Sequence, residues 1–218
     1  MKRITLTFDN GPHLTGTPYI LDVLAERALK ATFFVVAEKL RQPPLRALAA
    51  QAKLQGHRIA NHTMTHGVSL GRRSEAGVAQ AEIGDAQALL DGLAEERLFR
   101  PSGEKGQLGE HLLSEDAVDY LVANRFTAVS WNCVPQDWVP PSDGWLARAA
   151  QVMQLQDWSL FVLHDHCTEA MRHLGAFLDG LIAAGYEFSQ DFPPDSLLID
   201  RGHKTGALTG RYTPRTGG

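Results

Sequence analysis

Ile4-Thr5-Leu6-Thr7-Phe8-Asp9-Asn10-Gly11-Pro12 runs from a β-branched and apolar stretch straight into a turn signal that carries a carboxylate and an amide. Ile, Phe and Thr suit a pleated, half-buried surface, while Asn-Gly and Gly-Pro end regular structure. The reading is a strand over 4–8 with Asp9 and Asn10 at its C-terminal lip. The same arrangement follows at 57–61, where His57-Arg-Ile-Ala-Asn61 is succeeded by His62-Thr-Met-Thr-His66. On one helical turn, positions i and i+4 share a face, and neutral imidazole is a common ligand for divalent transition metals. His62 and His66 therefore read as a metal pair, with the Asp9 carboxylate beside it.

Working outward, further strand-like runs fall at 31–36, 98–100, 126–131, 160–163 and 186–188, and helical apolar spacing fills 18–29, 44–55, 74–90, 114–123, 144–154 and 168–184. Strands alternating with helices in units of about 30 residues signal a parallel sheet with crossover helices. Seven such strands are expected to form one α/β domain over residues 1–200, a distorted (β/α)7 barrel. Residues 201–218, rich in Gly, Thr and Arg, are expected to be a flexible tail. No Gly-x-Gly-x-x-Gly follows any strand and no Walker lysine occurs, which removes the commonest nucleotide-binding readings.

Composition narrows the function classes. The 218 residues are 44% hydrophobic and 21% charged with a formal net charge of -4, enough chain for one substantial core. Basic residues are scattered, so a nucleic-acid partner is not expected. No apolar run approaches a membrane span, so no membrane partner is expected either. The first strand begins within a few residues of Met1, which leaves no room for a signal peptide and predicts a cytoplasmic protein. Cys133 and Cys167 share no C-x-x-C or zinc-ribbon spacing and read as reduced thiols, Cys133 as an inert one.

The unusual polar residues all follow strands: Asp9 and Asn10 the first, His62 and His66 the third, Arg100 the fourth, Asp137 and Trp138 the fifth, His164 and Asp165 the sixth. In a parallel barrel the strand C-termini converge on one mouth, where catalytic groups gather.

On these residues the chain resembles the NodB-type polysaccharide deacetylases, also called carbohydrate esterase family four. Thr7-Phe8-Asp9-Asn10-Gly11-Pro12 is similar to that family's T-F-D-D-G-P, His62-Thr-Met-Thr-His66 to its H-S/T-x-x-H, and Arg100-Pro101-Ser102-Gly103 to part of its R-x-P-Y-G. Asp137-Trp138 resembles the end of its D-x-x-D-W, and Leu163-His164 its closing L-x-H. The ordered set spans residues 5 to about 165. The resemblance implies a distorted seven-stranded barrel that hydrolyses the acetamide of N-acetylated sugars with zinc or another divalent cation. It also implies roles: Asp9 as base, Arg100 as its partner, His164 as acid and Asp137 as the carboxylate that orients it. His62, His66 and the residue at position 10 would hold the metal, Trp138 and Leu163 would wall the acetyl group, and backbone near Gly103 would contact the oxyanion. His13, His166 and Asp165 border these motifs and are read as structural or as supports behind the site residues.

Two positions depart from the family pattern. Asn10 stands where the family has a metal-binding aspartate, and a neutral amide carbonyl is a weaker donor than a carboxylate. Ser102-Gly103-Glu104 stands where Pro-Tyr-Gly is usual. The expected function is removal of acetyl groups from an N-acetylated amino sugar or a smaller acetamide, of chitooligosaccharide type. Two alternatives stay beside it: a metal-independent amidohydrolase acting on a non-sugar such as a ureide, and a catalytically impaired carbohydrate-binding relative.

Overall fold

In the computed structural model, which describes residues 2–215, the central strand β1 (Arg3–Gly11) is buried almost throughout. Its alternation sorts two interiors. Ile4, Leu6 and Phe8 pack outward against α1 (Gly16–Ala25), while Thr5, Thr7 and Asp9 point the other way and are equally buried. That inner polar file is possible because a parallel sheet covered by helices and curled on itself has no solvent face.

The sheet continues through β2 (Thr32–Val35), β3 (Arg58–Asn61) and β4 (Leu98–Phe99). Beyond a separate short strand β5 (Leu113–Ser114) come β6 (Thr127–Val129), β7 (Trp158–His164) and β8 (Glu187–Phe188). These β1–β4 and β6–β8 strands answer to the seven expected runs. The pairs β1–β2, β2–β3, β3–β4, β4–β6 and β1–β7 are all parallel, and β8 pairs with the start of β1. Between β6 and β7 there is no full ladder. The curl is closed there by Cys133, whose N–H donates to the Leu160 carbonyl at 3.1 Å and whose carbonyl accepts from Val162 N–H at 2.9 Å. The architecture is therefore a curled, parallel-dominated, distorted barrel with helices outside, as read from the alternation.

Inside it, Phe34, Ala60, Leu98, Val129 and Leu160 form a small apolar plug, and polar groups sit above the plug at the strand C-termini. The larger outer core lies under α1, α2 (Pro43–Leu54), α5 (Gly144–Gln154), α6 (Thr168–Met171) and α7 (Leu174–Ala183). The helices expected at 74–90 and 168–184 are shorter than their periodicity suggests. The first condenses to a π turn over Gln80–Gly84 leading into α3 (Asp85–Leu89), and the second is interrupted between α6 and α7. Elsewhere α4 (Glu115–Ala123) carries the Ser114 side-chain cap on the Ala117 N–H, the signature of a helix start.

The tail expectation is corrected. β9 (Leu197–Asp200) joins β6 antiparallel, β10 (His203–Lys204) pairs with β9, and β11 (Tyr212–Thr213) pairs with β5. Leu208 is buried between them, and Arg215 reaches Asp116 and Asp119 at 2.8 and 2.6 Å. A Gly- and Thr-rich composition hid this, because the stabilising partners are some hundred residues away in sequence. Residues 216–218 of that expected tail lie outside the described residues. No described helix is long and apolar enough to cross a membrane.

Candidate active site

Asp9 and Arg100 meet because β1 and β4 end at the same level of the curl. Arg100 Nη1 donates to Asp9 Oδ1 at 2.8 Å and to Thr7 Oγ1 at 2.6 Å, and the guanidinium carbon lies 4.0 Å from the Phe34 ring centroid. Arg100 is fully buried and Asp9 is 3% exposed. Burial pushes the Asp9 carboxyl up, but the charge and hydrogen bond of Arg100 lead the opposing effects, with His164 adding to them, and hold the group below its ordinary value. Asp9 is thus kept ionised despite its burial.

His62 and His66 do come together, with ring centroids 4.8 Å apart, but not on a helical turn. They stand on an irregular loop after β3 in which Thr63 and His66 adopt positive φ, at 67° and 53°. Side chains replace the missing helix ladder. Asn61 Oδ1 accepts from Thr63 N–H at 3.0 Å, and Thr63 Oγ1 from His66 N–H at 2.9 Å. Glu82, from the π turn, takes the N–H groups of Met64 and Thr65, both at 3.1 Å, and an ion pair from Arg73 at 3.0 Å. His62 Nδ1 lies 2.9 Å from the Arg100 carbonyl, so Nδ1 carries the proton and the Nε2 lone pair is free, 3.6 Å from Asp9 Oδ2. Burial pushes His62 down to about 4 and lowers His66 as well, so both rings are neutral, the ligating form.

Asn10 adopts φ 69°, and its Oδ1 is buried with no hydrogen-bond partner. Lys39 Nζ donates to its backbone carbonyl at 2.6 Å, pinning the residue. A buried amide oxygen left orphaned costs on the order of 1–3 kcal/mol and calls for a partner. With two neutral imidazoles around the same cavity, this N, N, O donor set fits a divalent transition cation. Among the described residues, the three His, Cys, Asp or Glu donors within 4.8 Å of one another are instead Asp137, His164 and Cys167. The His62, His66 and Asn10 set differs from it in having an amide as third donor, with a buried oxygen that has no hydrogen-bond partner.

His164 ends β7, and Asp137 lies in the loop after β6. Asp137 Oδ1 is 2.8 Å from His164 Nδ1, and Oδ2 accepts the His164 backbone N–H at 2.7 Å, so one carboxylate sets both ring and backbone. Burial lowers the His164 pKa, but the hydrogen bond and charge of Asp137, with Asp9 behind, raise it above 6.5 overall. The loop bearing Asp137 is clamped by Arg148 of α5, which donates to the carbonyls of Pro135 at 2.6 Å and Gln136 at 2.9 Å. Asp165 is buried, accepts from Thr17 Oγ1 and leaves no room for a Cβ at Gly11.

A cavity of about 270 Å³ gathers Asp9, Asn10, His62, His66, Gly103, Trp138 and His164, with Trp131, Val134 and Val162 as apolar wall. One expected lining residue is corrected: Leu163 belongs to the outer core, because successive strand residues face opposite sides and His164 takes the inner one. Val162 lines the wall in its place. Gly103 lies against Trp131, whose ring would be 2.5 Å from an added Cβ. Trp138, 38% exposed, stands edge-on to His164 at 5.0 Å between centroids. Glu82 and Arg148 escaped the sequence reading, since neither lies in a motif or at a strand end. Glu82→Gln is expected to weaken zinc binding about 10–100-fold, the usual effect of losing a group that orients ligands, measured by calorimetry against wild type.

A curled parallel barrel that holds an ionised carboxylate, an imidazole–carboxylate couple and a metal donor set in one cavity is the framework of a hydrolase. The polysaccharide deacetylase family model matches residues 1–107. A chitooligosaccharide deacetylase of Sinorhizobium fredii is 34% identical over 187 residues, covering 83% of this chain and 81% of the relative. Among solved structures, a peptidoglycan N-acetylglucosamine deacetylase in complex with 4-naphthalen-1-yl-N-oxidanyl-benzamide is similar at TM-score 0.73 and 24% identity, covering 86% of this chain and 85% of that one. A family 4 acetyl xylan esterase from Clostridium thermocellum, solved with a cobalt ion, has TM-score 0.68 and 25% identity, covering 86% and 87%. The chain belongs to the polysaccharide deacetylase family. It is accordingly a hydrolase of carbon–nitrogen bonds other than peptide bonds.

Proposed function

We propose that this enzyme removes acetyl groups from N-acetylated amino sugars, with chitooligosaccharides as the first substrate class to test, and that Asp9 and His164 act as base and acid. The observation that supports this most is that a carboxylate paired with Arg100 and an imidazole paired with Asp137, each partner buried, line the same cavity as His62, His66 and Asn10. A divalent cation, zinc first, would be held by His62, His66 and Asn10 and would supply Lewis-acid activation of water and the acetyl carbonyl.

The protein's own groups carry the protons. Asp9 takes the proton of the attacking water, and Arg100 keeps that carboxylate charged and aimed. His164 gives its proton to the departing amine nitrogen, and Asp137 favours the charged ring and fixes its orientation. Trp131, Val134, Val162 and Trp138 exclude water from the acetyl methyl, and Gly103, lacking a side chain, lets the Trp131 ring pack against its backbone in that wall.

The test is acetate release from N-acetylglucosamine oligomers by chelator-stripped protein with and without added zinc or cobalt. Release restored by metal is expected; equal release with and without metal would overturn the cation's part, and silence under every metal the function itself.

Two predictions arise from this site. Asn10→Asp is expected to tighten zinc by an order of magnitude or more, since a carboxylate replaces a neutral carbonyl. Unchanged affinity by calorimetry would remove position 10 from the ligand set. The pH profile follows from sign: the acid must be protonated and its pKa is raised, so kcat/KM is expected to hold through pH 6.5 and fall as pH rises through the His164 value. In Asp137→Asn the fall should move to lower pH.

A further inference from the structure

We infer that Asp137, His164 and Cys167 form a second, inhibitory site for a soft divalent cation such as cadmium or excess zinc, distinct from the donor set of His62, His66 and Asn10. A carboxylate oxygen, an imidazole nitrogen and a sulfur of these three lie within 4.8 Å of one another, and a sulfur, nitrogen and oxygen set suits both cations. The inhibitory part rests on the reading of His164 as the acid.

Access comes from a different side. A cleft of about 590 Å³ is lined by Asp137, Val139, Ser142, Cys167, Thr168 and Glu169, and it meets the substrate cavity only along Trp138 and His166. A cation can therefore reach Cys167 without entering the space the sugar needs. His166, with its ring 5.4 Å from His164, stands on the border of both spaces and can complete the coordination. Glu169 adds a carboxylate to the entrance.

The proton balance is simple. Burial pushes the Cys167 thiol up to about 12, so it is protonated in the free enzyme, and the incoming cation displaces that proton to solvent. A charged His164 releases a second proton as its ring nitrogen takes up the ion. Whichever nitrogen ligates, the ring no longer exists as an imidazolium and cannot donate to a leaving amine. Occupancy here would silence the enzyme while the site at His62, His66 and Asn10 stays loaded.

The test is a cadmium titration of the whole protein, followed by the near-ultraviolet thiolate-to-cadmium absorbance and, in parallel, by acetate release. Wild type and Cys133→Ser are expected to develop a band equal to one thiolate per chain, and Cys167→Ser and Cys167→Ala to develop none. Acetate release should fall by about 100-fold or more as the band saturates in wild type, the contribution expected of a general acid, and should persist in both Cys167 variants. A band that survives in the Cys167 variants, or is missing from wild type, overturns the site. A saturated band with undiminished acetate release overturns its inhibitory role. The absorbance needs no turnover, so a protein that releases no acetate under any condition would refute the deacetylase reading while the band still decides whether the cation binds here.

Discussion

His164→Ala is expected to lower kcat by about 10²–10⁴-fold, the span of general acid–base catalysis, while zinc content stays at the wild-type value. The geometry separates these outcomes. His164 and Asp137 occupy one wall of the cavity and are joined to each other, whereas His62, His66 and Asn10 are organised by Arg100, Glu82, Thr63 and Lys39 on the other. His62→Ala should therefore do the reverse, losing metal first and activity in consequence. Metal analysis by mass spectrometry beside single-turnover acetate release reads both. Equal metal loss in the two variants would sink the division of labour. Because the amine is a poor leaving group, substrates with better leaving groups should suffer less from His164→Ala, a second signature that a purely structural histidine would not give.

Arg100→Met is expected to cost about 3–5 kcal/mol of folding stability, the consequence of leaving one member of a buried ion pair alone. Arg100 is fully buried, Asp9 is the carboxylate paired with it, and the Nε and Nη2 of Arg100 have no hydrogen-bond partner, so the guanidinium stands on its Nη1 contacts to Asp9 and Thr7 and on the Phe34 ring. Without the arginine, burial would dominate the Asp9 carboxyl and raise its pKa, shifting the acid side of the activity profile upward. The double variant Arg100→Met with Asp9→Asn should recover part of the stability, because no lone charge is then buried, and none of the activity. Guanidinium unfolding of the three proteins checks this. A single variant as stable as wild type would mean that water or another group already satisfies Asp9.

Much of this was legible along the chain. Apolar runs capped by Asp9-Asn10, His62 and His164 announce strand ends, since alternation and turn formers act over a few residues. Where the side chains go was less legible. Leu163 and Val162 are both apolar, and only the inward turn of His164 shows which one meets the cavity. The residues 197–213 look like loop in isolation because β9, β10 and β11 take their stability from β6 and β5, not from their own composition.

Local chemistry thus announced a parallel barrel, its strand ends and the polar residues placed on them, because hydrophobic period and turn preference are short-range properties. Tertiary packing decided how the two histidines share a cavity without a helix, that Glu82 and Arg148 hold the loops beside the site, and that Cys167 lies beside His164. Those relations depend on how far the sheet curls and how the loops after its strands are held, which neither hydrophobic period nor turn preference encodes, even where both partners stand within a few residues of each other.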